Sequence, residues 1–80
     1  MNIDIQFWGV TARLAGGDRR RVTLPNPATV ADAIELLRAD AALVKELPRC
    51  AYAIGADLVS VNHPLSEGDE LSVLPPVSGG

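Results

Sequence analysis

Eighty residues, nearly half of them apolar, make one small domain with a modest core and exclude a disordered chain. A formal charge of −3 argues against a nucleic-acid binder, which favours a basic face, and is too small to define a partner. A single cysteine excludes an internal disulfide framework and suits a reducing compartment.

Met1-Asn2-Ile3-Asp4 lacks the basic start and apolar run of a signal peptide, and no apolar run is long enough to span a membrane. The expectation is a cytoplasmic protein with a largely aliphatic core. Ile3, Ile5 and Phe7 alternate with Asp4, Gln6 and Trp8, which predicts a strand from Ile3 to Val10 with the first set inward. Trp8 then lies on the opposite face, either as a partial lid on the core or as an interface anchor.

Gly16-Gly17-Asp18 predicts a turn between two extended segments. The second, Arg20 to Leu24, turns Val22 and Leu24 inward and completes a hairpin. Arg19-Arg20-Arg21 on an edge strand reads as a solvated face that discourages edge pairing. Pro25-Asn26-Pro27-Ala28 bars a helix, and Thr29 with Asp32 forms an N-cap and short capping box. Val30, Ala33, Ile34, Leu37 and Ala41 fall at helical spacing, predicting a helix from Val30 to Ala39 with Glu35 and Arg38 outside. Ala41 to Leu47 predicts a second helical turn that closes the core and ends at Pro48.

Cys50 to Ile54 reads as a strand with Cys50, Tyr52 and Ile54 inward and the small Ala51 and Ala53 outward. Gly55-Ala56-Asp57 turns the chain into a short strand from Leu58 to Val61. Lone Cys50 reads as a small buried residue, since no reactive motif surrounds it. Lone His63 has no second ligand at useful spacing, so no metal site is expected. Leu65 to Glu70 predicts a polar turn with Gly68 left-handed and its carboxylates solvated. Leu71 and Val73 then alternate with Ser72 and Leu74 in a last strand.

This order predicts an α+β layer: a mixed five-stranded sheet, first and last strands parallel at its centre, with one main helix across a face. Trp8, Leu74, Ala51 and Ala53 would form an apolar patch on the open face. Residues 1–74 make the domain and 75–80 an arm. In Leu74-Pro75-Pro76-Val77-Ser78-Gly79-Gly80, the prolines stiffen the exit and the glycines slim the tip. Six residues beyond Leu74 reach roughly 20 Å when extended.

The arrangement resembles the β-grasp, ubiquitin-like sulfur carriers, most closely the MoaD family of molybdopterin synthase small subunits. The resemblance is carried by Leu58-Val59-Ser60, His63-Pro64-Leu65, Glu67-Gly68-Asp69-Glu70-Leu71 and above all the Pro-Pro-Val-Ser-Gly-Gly ending. Gly55 stands where many relatives have Asn, and relatives are often bulkier near Val73 and Leu74. The resemblance implies that an adenylating enzyme related to the ubiquitin activators (MoeB-like) uses ATP to activate Gly80. A persulfide donor then supplies sulfur for a Gly80 thiocarboxylate. Pro75, Pro76, Val77, Ser78 and Gly79 would carry it into the pocket of a large subunit (MoaE-like) holding cyclic pyranopterin monophosphate. The family synthase is a heterotetramer. No bound cofactor is implied for the small subunit, and its acid–base machinery would belong to the large one. The rival expectations are a carrier for thiazole, cysteine or tRNA thiolation, a protein modifier attached through Gly80, and a plain interaction domain.

Overall fold

A computed structural model describes residues 1–76, so expectations resting on Val77, Ser78, Gly79 and Gly80 lie outside the described residues. Five strands form one sheet: β1 (Asn2–Phe7), β2 (Arg19–Thr23), β3 (Ala51–Ile54), β4 (Asp57–Val59) and β5 (Glu70–Leu74). Their order across the sheet is β2-β1-β5-β3-β4. β1 and β5 run parallel at the centre, and the other neighbours are antiparallel. Among the described residues the longer of two helices is α2 (Val30–Leu37) and the shorter is α1 (Val10–Ala15).

The inward rows follow the period-two alternation. Ile5 pairs with Leu71 and Phe7 with Val73, and Tyr52 and Ile54 continue those rows on β3. Val30, Ala33 and Leu37 of α2 join Ile3, Ile5, Phe7, Leu71 and Val73 in the core. Each large aliphatic or Phe side chain buried there contributes about 1.5–3 kcal/mol.

Helix α2 begins where the capping box predicts. The Thr29 N–H donates to Asp32 Oδ2 at 2.8 Å. Its next donors are satisfied from elsewhere: Val30 N–H bonds to the His63 carbonyl at 3.0 Å and Ala31 N–H to the Val61 carbonyl at 2.8 Å. That demand explains why β4 ends at Val59 rather than at Val61: the chain turns away to cap the helix. Leu65, read from sequence as part of the polar turn, is buried, because its N–H bonds to the Ala28 carbonyl and draws it under α2.

Three further local expectations are corrected. The segment Val10–Ala15 is a helix, not the end of one strand and the start of a loop. Gly9 at φ 56° breaks the strand, and Gly16 at φ 79° closes the helix. Helix α2 stops at Leu37, two residues early, so Ala41 leaves the apolar stripe and is exposed. Leu43 and Leu47 do close the core, but Pro48 lies within a short 3₁₀ turn, Leu47–Arg49, rather than ending one. A proline is tolerated there because a first-turn N–H has no helical partner to lose.

Candidate interface and tail exit

The open face of the sheet divides into two halves. Over β2 and β1 it is polar: Asp4 is the register partner of Arg21 and Gln6 that of Arg19. Arg21 Nε donates to Asp4 Oδ1 at 3.0 Å, and Arg19 lies 3.7 Å from Glu70. The hydrogen bond to Asp4 raises the Arg21 guanidinium above its ordinary value. The arginine run is thus an ion-paired edge, and β2 is an edge strand. Arg20 alternates to the inner side, where it pairs with Asp40 at 3.2 Å and lies 5.4 Å from the Phe7 ring centroid.

Over β5, β3 and β4 the face turns apolar. Leu74 stands opposite Ala51, Ser72 opposite Ala53, and Ala53 opposite Leu58. Ala51 is exposed and Leu74 half-buried. Ala53 lies on the expected face but is only 6 % exposed, so it offers little surface to a partner. Its side chain is short, and larger residues stand across from it on both neighbouring strands. Leu58, absent from the expected patch, is 72 % exposed beside it. A signal for Leu58 was present. A hairpin turning at Gly55-Ala56 pairs Ile54 with Asp57 and so sets Leu58 against outward Ala53.

Trp8 is 48 % exposed and lies outside the core cluster, so it is no lid. Extending the parallel register of Phe7 and Val73 by one residue brings Trp8 beside Leu74, and by two brings Gly9 beside Pro75. A Cβ built on Gly9 would come within 3.2 Å of Pro75 Cγ, so the two are in contact. Thr11, fully buried, holds this corner. Its Oγ1 donates to the Trp8 carbonyl at 2.6 Å and accepts from the Trp8 N–H at 3.1 Å. Sequence reading missed both Gly9 and Thr11, since their roles exist only once Pro75 and Trp8 are adjacent.

The other titratable candidates resolve into structure. Asp69 Oδ2 accepts from the Ser66 N–H at 2.8 Å and Glu67 Oε1 from the Asn2 N–H at 2.9 Å, so these carboxylates tie the turn together. The Cys50 thiol donates to the Glu46 carbonyl, and burial followed by the nearby Glu46 charge pushes its pKa up. A reactive thiol needs the opposite shift. Cys50 lines a groove of about 630 Å³ between α2 and the β3–β4 hairpin, with Ile34, Val44, Leu47 and Val61, and the groove shares Ala51 and Leu58 with the apolar patch. Among the described residues no group of three or more His, Cys, Asp or Glu side chains could hold a metal ion, and no helix is long and apolar enough to cross a membrane.

A β2-β1-β5-β3-β4 sheet spanned by one main helix, with an arm leaving its central strand, defines the ubiquitin-like β-grasp class. The model of the ThiS family matches residues 5–80, and the chain belongs to that family. It is 35% identical to the molybdopterin synthase sulfur carrier subunit of Escherichia coli K12, covering 98% of this chain and 99% of that protein. To the subunit of the same name from Drosophila yakuba it is 32% identical, over 100% of this chain and 92% of the relative. Among solved structures, SAMP1 from Haloferax volcanii superposes with a TM-score of 0.90 at 27% identity, covering 100% of both chains. A complex of subunits 1 and 2 of the molybdopterin-converting factor from Helicobacter pylori matches with a TM-score of 0.77 at 27% identity, again over 100% of both chains.

Proposed function

We propose that this chain is the sulfur-carrier subunit of a molybdopterin synthase. The observation that carries the reading is the end-to-end likeness to the Escherichia coli subunit of that name. The Pro-Pro-Val-Ser-Gly-Gly ending and the two-subunit Helicobacter pylori complex support it further. On this reading Gly80 is the reacting residue. Its carboxylate is a poor electrophile, so an adenylating enzyme joins it to AMP from ATP, releasing pyrophosphate. The terminal sulfur of a persulfide donor displaces AMP to form an acyl disulfide. A thiol then attacks the donor's own sulfur, which leaves as a disulfide and releases a thiocarboxylate, whose sulfur is nucleophilic without a neighbouring base.

The domain supplies a grip and a direction. Trp8, Leu58, Ala51 and Leu74 offer an apolar face to a large subunit. Pro75 and Pro76 stiffen the exit of the arm that carries Gly79 and Gly80 into that subunit's pocket. Sulfur passes there to the pterin precursor, and two rounds complete the dithiolene. The polar half of the face, with its arginines already paired, limits the apolar patch and favours one orientation.

Reconstitution tests this: thiocarboxylated chain, a large subunit and cyclic pyranopterin monophosphate, assayed for molybdopterin. Deleting Gly80 abolishes product while the melting temperature holds; product formation by the deletion variant at the wild-type rate would sink the reading. A protein modifier is the second reading, favoured by the match to SAMP1, a small archaeal modifier protein. Intact mass separates the two: an oxygen-to-sulfur change marks a carrier, and adducts through Gly80 mark a modifier.

A further inference from the structure

We propose that Gly9 is a positioning residue for the arm: the missing side chain seats Pro75 against the Trp8–Thr11 corner, and that seat sets the direction in which the arm leaves the sheet. The kinetic consequence rests on the sulfur-carrier reading; the seat itself does not.

Three observations combine at this position. The backbone of Gly9, φ 56° and ψ −132°, is one that L side chains rarely adopt. A Cβ there would lie 3.2 Å from Pro75 Cγ, tighter than ordinary carbon contact. The neighbour must give by a few tenths of an ångström, and because a pyrrolidine carbon is tied to its own main chain, whatever a change of pucker does not absorb displaces Pro75 itself. The Gly9 side yields little either, because buried Thr11 holds Trp8 through both its N–H and its carbonyl. Gly16, Gly55 and Gly68 also have positive φ, yet a Cβ on any of them meets nothing within 4 Å. Among these positive-φ glycines, only Gly9 combines backbone demand with contact at the base of the arm.

Leverage gives the contact its effect. Pro75 is the first residue after β5, so a displacement there alters the direction in which the chain leaves the sheet. Misplacement of a reacting atom by 1 Å is enough to slow chemistry on the order of a hundredfold.

The test compares Gly9→Ala with Gly68→Ala, another positive-φ glycine, which lies in the turn before β5, away from the arm, and where a Cβ meets nothing within 4 Å. Two-dimensional NMR reads the Pro75 and Pro76 resonances and the Gly9 Hα–Pro75 Hγ NOE. Single-turnover sulfur transfer from each thiocarboxylated variant, at saturating large subunit, reads the arm. The expected result is that Gly9→Ala shifts the Pro75 and Pro76 resonances and slows transfer on the order of tenfold. Gly68→Ala leaves both unchanged. Unshifted Pro75 resonances in Gly9→Ala, or equal transfer rates for the two variants, overturn the proposal. Should Gly9→Ala fail to fold, the Pro75→Ala background, which lacks the opposing Cγ, carries the test. There, with the opposing Cγ gone, Gly9→Ala is expected to fold, and a chain that still fails to fold overturns the seat. A wild-type chain that transfers no sulfur, while Gly9→Ala still moves the Pro75 resonances, overturns the carrier reading and supports the seat.

Discussion

Ala51 and Leu74 stand opposite each other on the β3–β5 ladder, the one opening its strand and the other closing the strand from which the arm departs. Any side chain at position 51 therefore stands beside the root of the arm. Ala51→Glu places a carboxylate on the apolar half of the face, where docking would have to desolvate it. Affinity for the large subunit is expected to fall at least about tenfold, or about 1.4 kcal/mol, by titration calorimetry. The melting temperature changes little, since Ala51 is exposed.

Trp8 and Leu58 are exposed large apolar residues on the same half of the face, Leu58 opposite Ala53 and Trp8 one step past the Phe7–Val73 pair. Truncating Trp8 to Ala is expected to weaken binding by about 2 kcal/mol, the scale of an aromatic anchor. Leu58→Ala costs less, about 1 kcal/mol. Because both side chains lie outside the core, neither substitution lowers stability in proportion. A parallel loss of folding and binding in denaturant titrations would show that they act through the fold instead.

Thr11→Val keeps the volume of a fully buried side chain while removing both hydrogen bonds to Trp8. The Trp8 carbonyl keeps the Thr11 N–H at 3.1 Å, but the Trp8 N–H loses its partner, which is expected to cost about 1–3 kcal/mol. At this chain length each kcal/mol lowers the melting temperature by roughly 4–8 °C. Thr11→Ser, which keeps the hydroxyl, retains the corner and loses only a methyl contact. Thermal melts of the two variants separate the bond from the packing.

Tyr52 connects stability to alkaline pH. Its hydroxyl donates to the Leu47 carbonyl at 3.0 Å, and burial pushes its pKa up to about 12 from an ordinary value of 10.0. Between those values the unfolded chain has given up the proton and the folded chain still holds it. Stability therefore falls as pH rises through this window, and below it the contribution is intact. Tyr52→Phe is expected to be less stable than the wild type by about 1 kcal/mol at neutral pH. The gap narrows as pH climbs past 10, where only the wild type carries this proton linkage. Urea melts at matched pH values measure it, and a constant gap would mean that Tyr52 does not titrate differently in the two states.

Much of the fold was legible because it rests on local chemistry. Ile3, Ile5 and Phe7 declare an inward face by alternation, as do Leu71 and Val73, and their register partnership follows once the strands lie parallel. The capping box at Thr29 and Asp32 marks the start of α2 to the residue. Val10–Ala15 was illegible for the same kind of reason: six residues span under two turns, too few for a 3.6-residue period to stand out from a strand. The candidate patch was half legible. Trp8, Leu74 and Ala51 fall where alternation puts them, whereas the near-complete cover over Ala53 and the exposure of Leu58 depend on which strands flank each residue.

Composition and periodicity by themselves determined an α+β layer of one mixed sheet and one main helix, because side-chain alternation, capping and turn chemistry act over a few residues. The β-grasp class came from the family resemblance, carried above all by the Pro-Pro-Val-Ser-Gly-Gly ending, which also directed attention to the arm. Only the tertiary structure decided how the arm leaves. The parallel pairing of β1 with β5, expected from the strand order, takes a register that sets Gly9 against Pro75, one step beyond Trp8 and Leu74. Contacts across that span carry no local periodicity. They exist only because burying the inward rows of both strands in one core forces the two segments side by side.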